Sequence, residues 1–353
     1  MSVVSAVPVE ILAPKARPHS ISMEFISDAF ARPARHSLMC SAWKLSTYLG
    51  KNASAGAFAV TTRRPTDEFE AYVDLTNEFE ADELAVTAAV SGPLSDSFRV
   101  RAAGKWRDLK EGWVSNFDSP TGNKSPRQED TILRLSAEWD ITDNVDAYVK
   151  YETMDNLWNG RNIENYDCGP AANVGIDDCL LNYTRTVVFD IAQHPTGVWD
   201  RTLAQGEDYM NEFEYDNVTA VLTWSIGDML LTSTSAKYEF DNFFFNRAGP
   251  AAVNYNQHFE QTSQELRLQS TGDQDVSWLV GAYYDTNDNV NSTAINLSGN
   301  GVVILQDNDE QADAWDVFGE VDFRINDQWQ ATVGGRYTDY EKENVNDREQ
   351  WLG

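Results

Sequence analysis

The chain has 353 residues, of which 42% are hydrophobic, and it carries a formal net charge of −29 from 27 basic and 56 acidic side chains. No stretch approaches the roughly 18 apolar residues of a membrane-spanning helix, so a helical membrane protein is excluded. The acidic excess would repel the phosphates of DNA or RNA, and the many aromatic residues argue against intrinsic disorder, so we expect a folded protein with no nucleic-acid partner.

From Phe69 onward, apolar and polar residues alternate in runs of about ten residues. A period of two is that of a β-strand with two different faces. The clearest runs lie at residues 98–107, 133–140, 145–152, 317–325 and 329–337. In all, about eleven runs predict an all-β fold with an antiparallel sheet.

Short turns and longer polar connections alternate along the chain. The short turns are predicted at residues 92–96, 141–144, 225–228, 271–275 and 325–327. The long connections are predicted at residues 114–130, 160–210, 246–257 and 290–310. An alternation of short and long connections is typical of an outer-membrane β-barrel, which has short periplasmic turns and long extracellular loops.

The two faces of the predicted strands are assigned by the cost of burying charge. Charged residues occupy the polar positions, including Arg99, Arg101, Arg134, Lys150, Glu152, Arg267, Asp322 and Arg324. A basic residue facing lipid at mid-depth would cost about 2–4 kcal/mol, so we expect the apolar face to meet lipid and the charged face to line a wet lumen. Tryptophans beside the short turns favour a membrane interface at that level, namely Trp139, Trp224, Trp278 and Trp329.

Few residues suggest chemistry. Cys168 and Cys179 lie in a Gly- and Asn-rich stretch and can form a loop disulfide in an oxidising compartment, although two free thiols remain the alternative. The acidic stretches 285–291 and 307–316 lack the glycine of a calcium loop and are expected to be solvated loops. The histidines are scattered, which predicts no enzyme, cofactor or metal site: His19, His36, His194 and His258.

The segment from Leu49 to Pro65 resembles the end of the plug domain of TonB-dependent receptors. Its motif residues are Gly50, Lys51, Asn52, Gly56, Arg63 and Arg64. Similar short sequences at 92–96, 264–268, 317–322 and 335–338 extend the resemblance to residue 353. Within this resemblance, Arg63 and Arg64 could pair with acidic residues of the barrel wall; taken alone, they would be interpreted as a solvated basic pair at the start of a strand.

The resemblance implies three regions. Residues 1–44 are an atypical N-terminal segment, truncated or mis-started; residues 45–66 are the C-terminal end of the plug; and residues 67–353 are the N-terminal half of a transmembrane β-barrel. Transporters of this kind have about 22 strands, so we expect a partial barrel of about 11 strands. Neither a secretion signal nor a TonB box is visible, and we expect the chain to be a fragment.

The resemblance also implies uptake of a ferric siderophore across the outer membrane of a Gram-negative bacterium. Its expected partners are outer-membrane lipid, lipopolysaccharide and the TonB energy-coupling complex. Uptake of cobalamin or an oligosaccharide remains open, as does a soluble all-β glycan-binding module with inverted faces. Ligand contacts are expected from the long connection at 160–210, unless it is only a lid or cell-surface loop; the aromatic candidates in or beside it are Trp158, Tyr166, Tyr183 and Trp199.

Overall fold

In the computed structural model, the described residues are 62–116, 124–160, 209–248, 251–272, 274–297, 302–326 and 328–352, together with a few short strands elsewhere. These short strands are Val3–Ala6, Glu10–Ile11, Met39–Cys40, Phe58–Ala59 and Tyr183–Thr184. In this described part, no helix has the length and apolar character needed to cross a membrane.

One antiparallel sheet dominates the described part of the chain. Its eleven long strands are β1 (Glu70–Glu78), β2 (Glu83–Ser95), β3 (Phe98–Leu109), β4 (Arg127–Thr142), β5 (Val145–Asn159), β6 (Tyr209–Ile226), β7 (Met229–Ala248), β8 (Ala251–Ser270), β9 (Val276–Leu297), β10 (Val302–Arg324) and β11 (Gln330–Leu352). Each strand pairs with the next in chain order. The prediction of an antiparallel all-β fold with about eleven strands is confirmed.

Short strands pair with the sheet edge and with one another. Val3–Ala6 and Glu10–Ile11 pair with β11 on the side away from β10. Val114–Asn116 pairs with Lys124–Ser125 and with Tyr183–Thr184, and Met39–Cys40 pairs with Phe58–Ala59.

The five predicted short turns are present at one end of the sheet. Their described residues are 96–97, 143–144, 227–228, 271–272 with 274–275, and 325–326 with 328–329. Gly227 and Gly272 have φ angles of +57° and +93°, a region that only glycine enters without strain. In the last turn, the Ile325 N–H donates to the Trp329 carbonyl over 3.0 Å.

Two of the predicted long connections are wrong. Strand β8 begins at Ala251 and β9 runs to Leu297, so residues 251–257 and most of 290–310 are strand. The acidic stretches 285–291 and 307–316, predicted as solvated loops, also lie in β9 and β10. A strand needs only about 9–11 residues to cross a bilayer, and beyond it both faces meet water. The excess length therefore needs no single apolar face, and its apolar residues, such as those at 302–305, do not alternate with polar ones in the way that reveals a strand.

Burial confirms the assignment of the two faces. On the apolar face, Leu135 and Val149 are 43% and 46% exposed. On the charged face, Arg101 and Glu152 are 7% and 8% exposed. The apolar side chains thus point away from the interior, as an outer-membrane barrel requires and a soluble barrel does not.

Aromatic residues lie at two levels of the apolar face. Near the turns, Trp139 and Trp224 are about half exposed. A second level lies further along the strands and was not predicted: Trp106, Tyr151, Tyr284, Trp315 and Tyr337. At this level, the ring centroids of Trp315 and Tyr337 are 5.3 Å apart. Two aromatic levels with apolar residues between them are the arrangement of a membrane-spanning barrel.

Candidate functional site

The charged face carries ion pairs that cross between neighbouring strands. Arg336 on β11 donates from Nε to Oδ1 of Asp316 on β10 over 3.0 Å, and its Nη2 lies 2.6 Å from Oδ2. The Thr338 hydroxyl donates to the same carboxylate. Because Asp316 is 1% exposed, water screens its charge little, and the Arg336 guanidinium supplies the compensating positive charge.

A second network joins β4, β5 and β6. Arg134 pairs with the Glu152 carboxylate, whose other oxygen accepts a 2.6 Å hydrogen bond from the Tyr215 hydroxyl. These contacts fix the Tyr215 ring against the wall.

Five aromatic rings, which we name the aromatic patch, lie beside this network on the charged face. They are Phe213, Tyr215, Tyr238, Phe240 and Phe259. The β6–β7–β8 register places Phe240 directly opposite both Tyr215 and Phe259. Ring centroids of Phe240 and Phe259 are 5.1 Å apart in a stacked pair, and those of Phe213 and Phe240 are 5.4 Å apart.

The rings of the patch are half-buried, so each keeps some surface open. They offer no nucleophile or acid–base pair, but they present flat apolar faces next to polar side chains. Such a surface can stack a planar or ring-shaped ligand and orient it by hydrogen bonds.

Trp158 belongs to a second aromatic group nearer the other end of the strands. Its ring centroid lies 6.4 Å from that of Tyr209, which lies 5.6 Å from that of Phe244. The Trp158 indole N–H donates to the Gly160 carbonyl over 3.1 Å. Register places all three rings on the charged face, above the aromatic patch.

Most other predicted site residues lie outside the described residues. This holds for Gly50, Lys51, Asn52, Gly56, Cys168, Cys179, Tyr166, Trp199 and the side chain of Tyr183. Their roles in a plug motif, a disulfide or ligand contact stay predictions.

Arg63 and Arg64 are described and do pair with acidic residues. Arg63 Nη1 lies 2.7 Å from Oε1 of Glu70, and Arg64 Nη1 lies 3.1 Å from Oε1 of Glu138. The Arg64 guanidinium also lies 4.7 Å from the centre of the Tyr148 ring. These contacts hold the segment before β1 against the charged face.

A family model described as TonB dependent receptor-like, beta-barrel matches residues 171–352. The chain belongs to the TonB-dependent receptor family. This is a family of transport receptors rather than enzymes, and the chain is accordingly an outer-membrane protein of a Gram-negative bacterium. No curated protein sequence matches the chain.

Solved structures of this family share the fold. The ferric yersiniabactin uptake receptor FyuA from Yersinia pestis is 14% identical with a TM-score of 0.63, over 86% of this chain and 46% of that one. The ferripyoverdine receptor of Pseudomonas aeruginosa is 13% identical with a TM-score of 0.60, over 85% and 41%. The siderophore receptor PiuA from Acinetobacter baumannii is 12% identical with a TM-score of 0.59, over 86% and 48%. The chain thus spans less than half the length of each of these receptors.

Proposed function

We propose that the chain serves in TonB-dependent uptake of a ferric siderophore, with the aromatic patch forming part of the ligand path. The observation that carries the proposal is the group of five half-buried rings on the charged face, beside the Arg134, Glu152 and Tyr215 network. Ferric chelates of catechols or similar ring systems present flat faces that stack on such rings. The siderophore receptors among the structural neighbours support the same substrate class.

In this proposal, residues 45–66 end a plug domain and residues 67–353 supply wall strands. Arg63 and Arg64 then tie the end of the plug to the wall through Glu70 and Glu138. Outer-membrane lipid and lipopolysaccharide surround the apolar face, and the TonB complex supplies the energy.

Calorimetric titration of the full chain in detergent tests the substrate class. The ligands are a ferric tricatecholate, a ferric hydroxamate, cobalamin and a maltooligosaccharide. We expect one of the ferric chelates to bind most tightly, and the double variant Tyr238→Ala/Phe240→Ala to weaken it about 5- to 150-fold, because each of the two lost ring contacts is worth about 0.5–1.5 kcal/mol.

The matched control is Tyr284→Ala, which removes a ring 48% exposed on the apolar face and should leave binding unchanged. Equal binding by the double variant and the parent chain would show that the aromatic patch is not part of the ligand path. Tighter binding of cobalamin or the oligosaccharide would contradict a siderophore as the substrate and favour the tighter ligand.

A further inference from the structure

Three metal-ligating side chains meet on the apolar-face side of the β7–β8 hairpin. Glu239, His258 and Glu260 each offer a ligand atom, and these atoms lie within 4.8 Å of one another. Register places Glu239 directly opposite Glu260. The cluster alternates with Tyr238 and Phe259 along the strands, so it lies on the opposite side of the sheet from the aromatic patch.

Asp241 orients the histidine of this cluster. His258 Nδ1 lies 2.9 Å from Asp241 Oδ1. A histidine that binds a metal usually donates its other ring N–H to a carboxylate, which fixes the tautomer. With Nδ1–H directed to Asp241, the lone pair of Nε2 is left for a cation.

A cation already occupies the space between the two glutamates. Lys237 Nζ lies 3.0 Å from Glu260 Oε1 and 3.5 Å from Glu239 Oε2. The Lys237 side chain is 51% exposed and unbranched, so it can turn away into solvent. The two carboxylates therefore attract positive charge at this point, and a divalent ion would compete with the ammonium group.

An acidic cavity of about 530 Å³ adjoins His258. Among its described lining residues there is no lysine or arginine, and the carboxylates are those of Glu212, Glu214, Asp241, Asp307, Asp309 and Asp347. A concave surface of one charge sign raises the local concentration of counter-ions. The cavity is therefore expected to raise the local concentration of cations beside His258.

We propose that Glu239, His258 and Glu260 bind a divalent transition-metal cation of the Zn²⁺ type. One imidazole nitrogen and two carboxylate oxygens suit Zn²⁺, and three protein ligands leave a coordination position for water. The scattered histidines of the sequence predicted no metal site, because residues 239 and 258 come together only through the hairpin register. The site is separate from the proposed ligand path and stands without it.

The test is calorimetric titration of the full chain with Zn²⁺ in detergent, after the thiols are alkylated. We expect one site per chain that depends on His258. His258→Ala should weaken binding at least 10-fold, and Lys237→Met should strengthen it, because the competing ammonium is gone. Glu343→Gln, which removes an exposed carboxylate on β11, is the control and should change nothing.

Zn²⁺ binding that survives His258→Ala unchanged, or no binding by the parent chain and by Lys237→Met, would overturn the proposal. A separate experiment, ¹⁵N NMR of the His258 ring, tests whether Asp241 accepts a hydrogen bond from Nδ1–H. We expect a metal-bound Nε2 and a protonated Nδ1; a metal-bound Nδ1 would contradict that role.

Discussion

Gly281 shows how one missing side chain shapes the charged face. A Cβ built at Gly281 would lie 2.4 Å from Cζ of Phe318 and 3.0 Å from the Leu266 carbonyl oxygen. The Phe318 ring is 5% exposed, and the Arg336 guanidinium lies 5.2 Å from its centre, so the ring has little room to move. The absence of a side chain at residue 281 therefore leaves the space that the Phe318 ring occupies across the β9–β10 pair.

We predict that Gly281→Ala lowers the free energy of unfolding by about 1–3 kcal/mol, the usual cost of overpacking. The measurement is urea unfolding of the chain folded in detergent micelles. Gly335→Ala is the matched control, since a Cβ there has no atom within 4 Å. A loss of stability that is the same for both variants would show that the Phe318 contact is not the cause.

Burial also separates two ion pairs of similar chemistry. The Asp316 side chain is fully buried against Arg336, whereas Lys342, which lies 2.7 Å from Glu310, is 40% exposed. We predict that Arg336→Met costs about 3–5 kcal/mol, because it leaves a buried carboxylate without its cation. Lys342→Met should cost far less, because water screens this exposed pair. Equal costs in the same unfolding experiment would contradict this ranking.

The aromatic patch was not predicted from the sequence, although a signal was present. Aromatic residues at alternate positions, 213 and 215 and then 238 and 240, place rings on one face of each strand. Which strands are neighbours, and in which register, depends on the connection between β6 and β7. For Arg63 and Arg64, the sequence left open both pairing with wall carboxylates and a solvated basic pair, and the structure shows the pairing with Glu70 and Glu138.

At the scale of elements, the strands and short turns followed from local patterning. Where one face of a strand is apolar, the alternation of apolar and polar residues can be read from that strand's own sequence. A short turn is likewise specified by a few consecutive residues. The prediction failed at residues 246–257 and 290–310, where apolar and polar residues do not alternate regularly along the strands. There the backbone ladder between long neighbours, rather than side-chain alternation, maintains the strand.

The β1–β2 connection carries a pH-dependent contact outside the membrane-spanning part of the strands. The Glu78 carboxylate accepts hydrogen bonds from the N–H groups of Ala81 at 2.7 Å and Glu80 at 2.9 Å. These bonds, that from Ala81 foremost, lower the pKa of Glu78 below its ordinary value. A lowered folded-state pKa means that the contact stabilises the turn above the unfolded pKa and is lost as the pH falls through the folded value.

We predict that the amide shifts of Glu80 and Ala81 titrate together with the Glu78 carboxyl, at a pH below the ordinary glutamate value. NMR titration of the folded chain measures this. Glu78→Gln should abolish the shared transition, and a carboxyl that titrates at or above its ordinary value would contradict the contact.

At the scale of the whole molecule, the sheet separates two environments. One face carries exposed apolar side chains between two aromatic levels, and the other carries paired charges and the aromatic patch. A charged substitution should therefore destabilise the protein at a position on the apolar face and be tolerated at the next position along the strand, on the charged face. In the proposed function, the apolar face meets outer-membrane lipid.

Spin-label accessibility in lipid vesicles tests this division most directly, after Cys40, Cys168 and Cys179 are replaced by serine. Single labels are placed at Val149 and Leu222 on the apolar face and at Lys150 and Thr219 on the charged face. We predict that dissolved oxygen, which collects in hydrocarbon, relaxes the first two labels and that a water-soluble nickel chelate relaxes the second two. The reverse pattern, or no alternation between neighbouring residues, would contradict an apolar face that meets lipid.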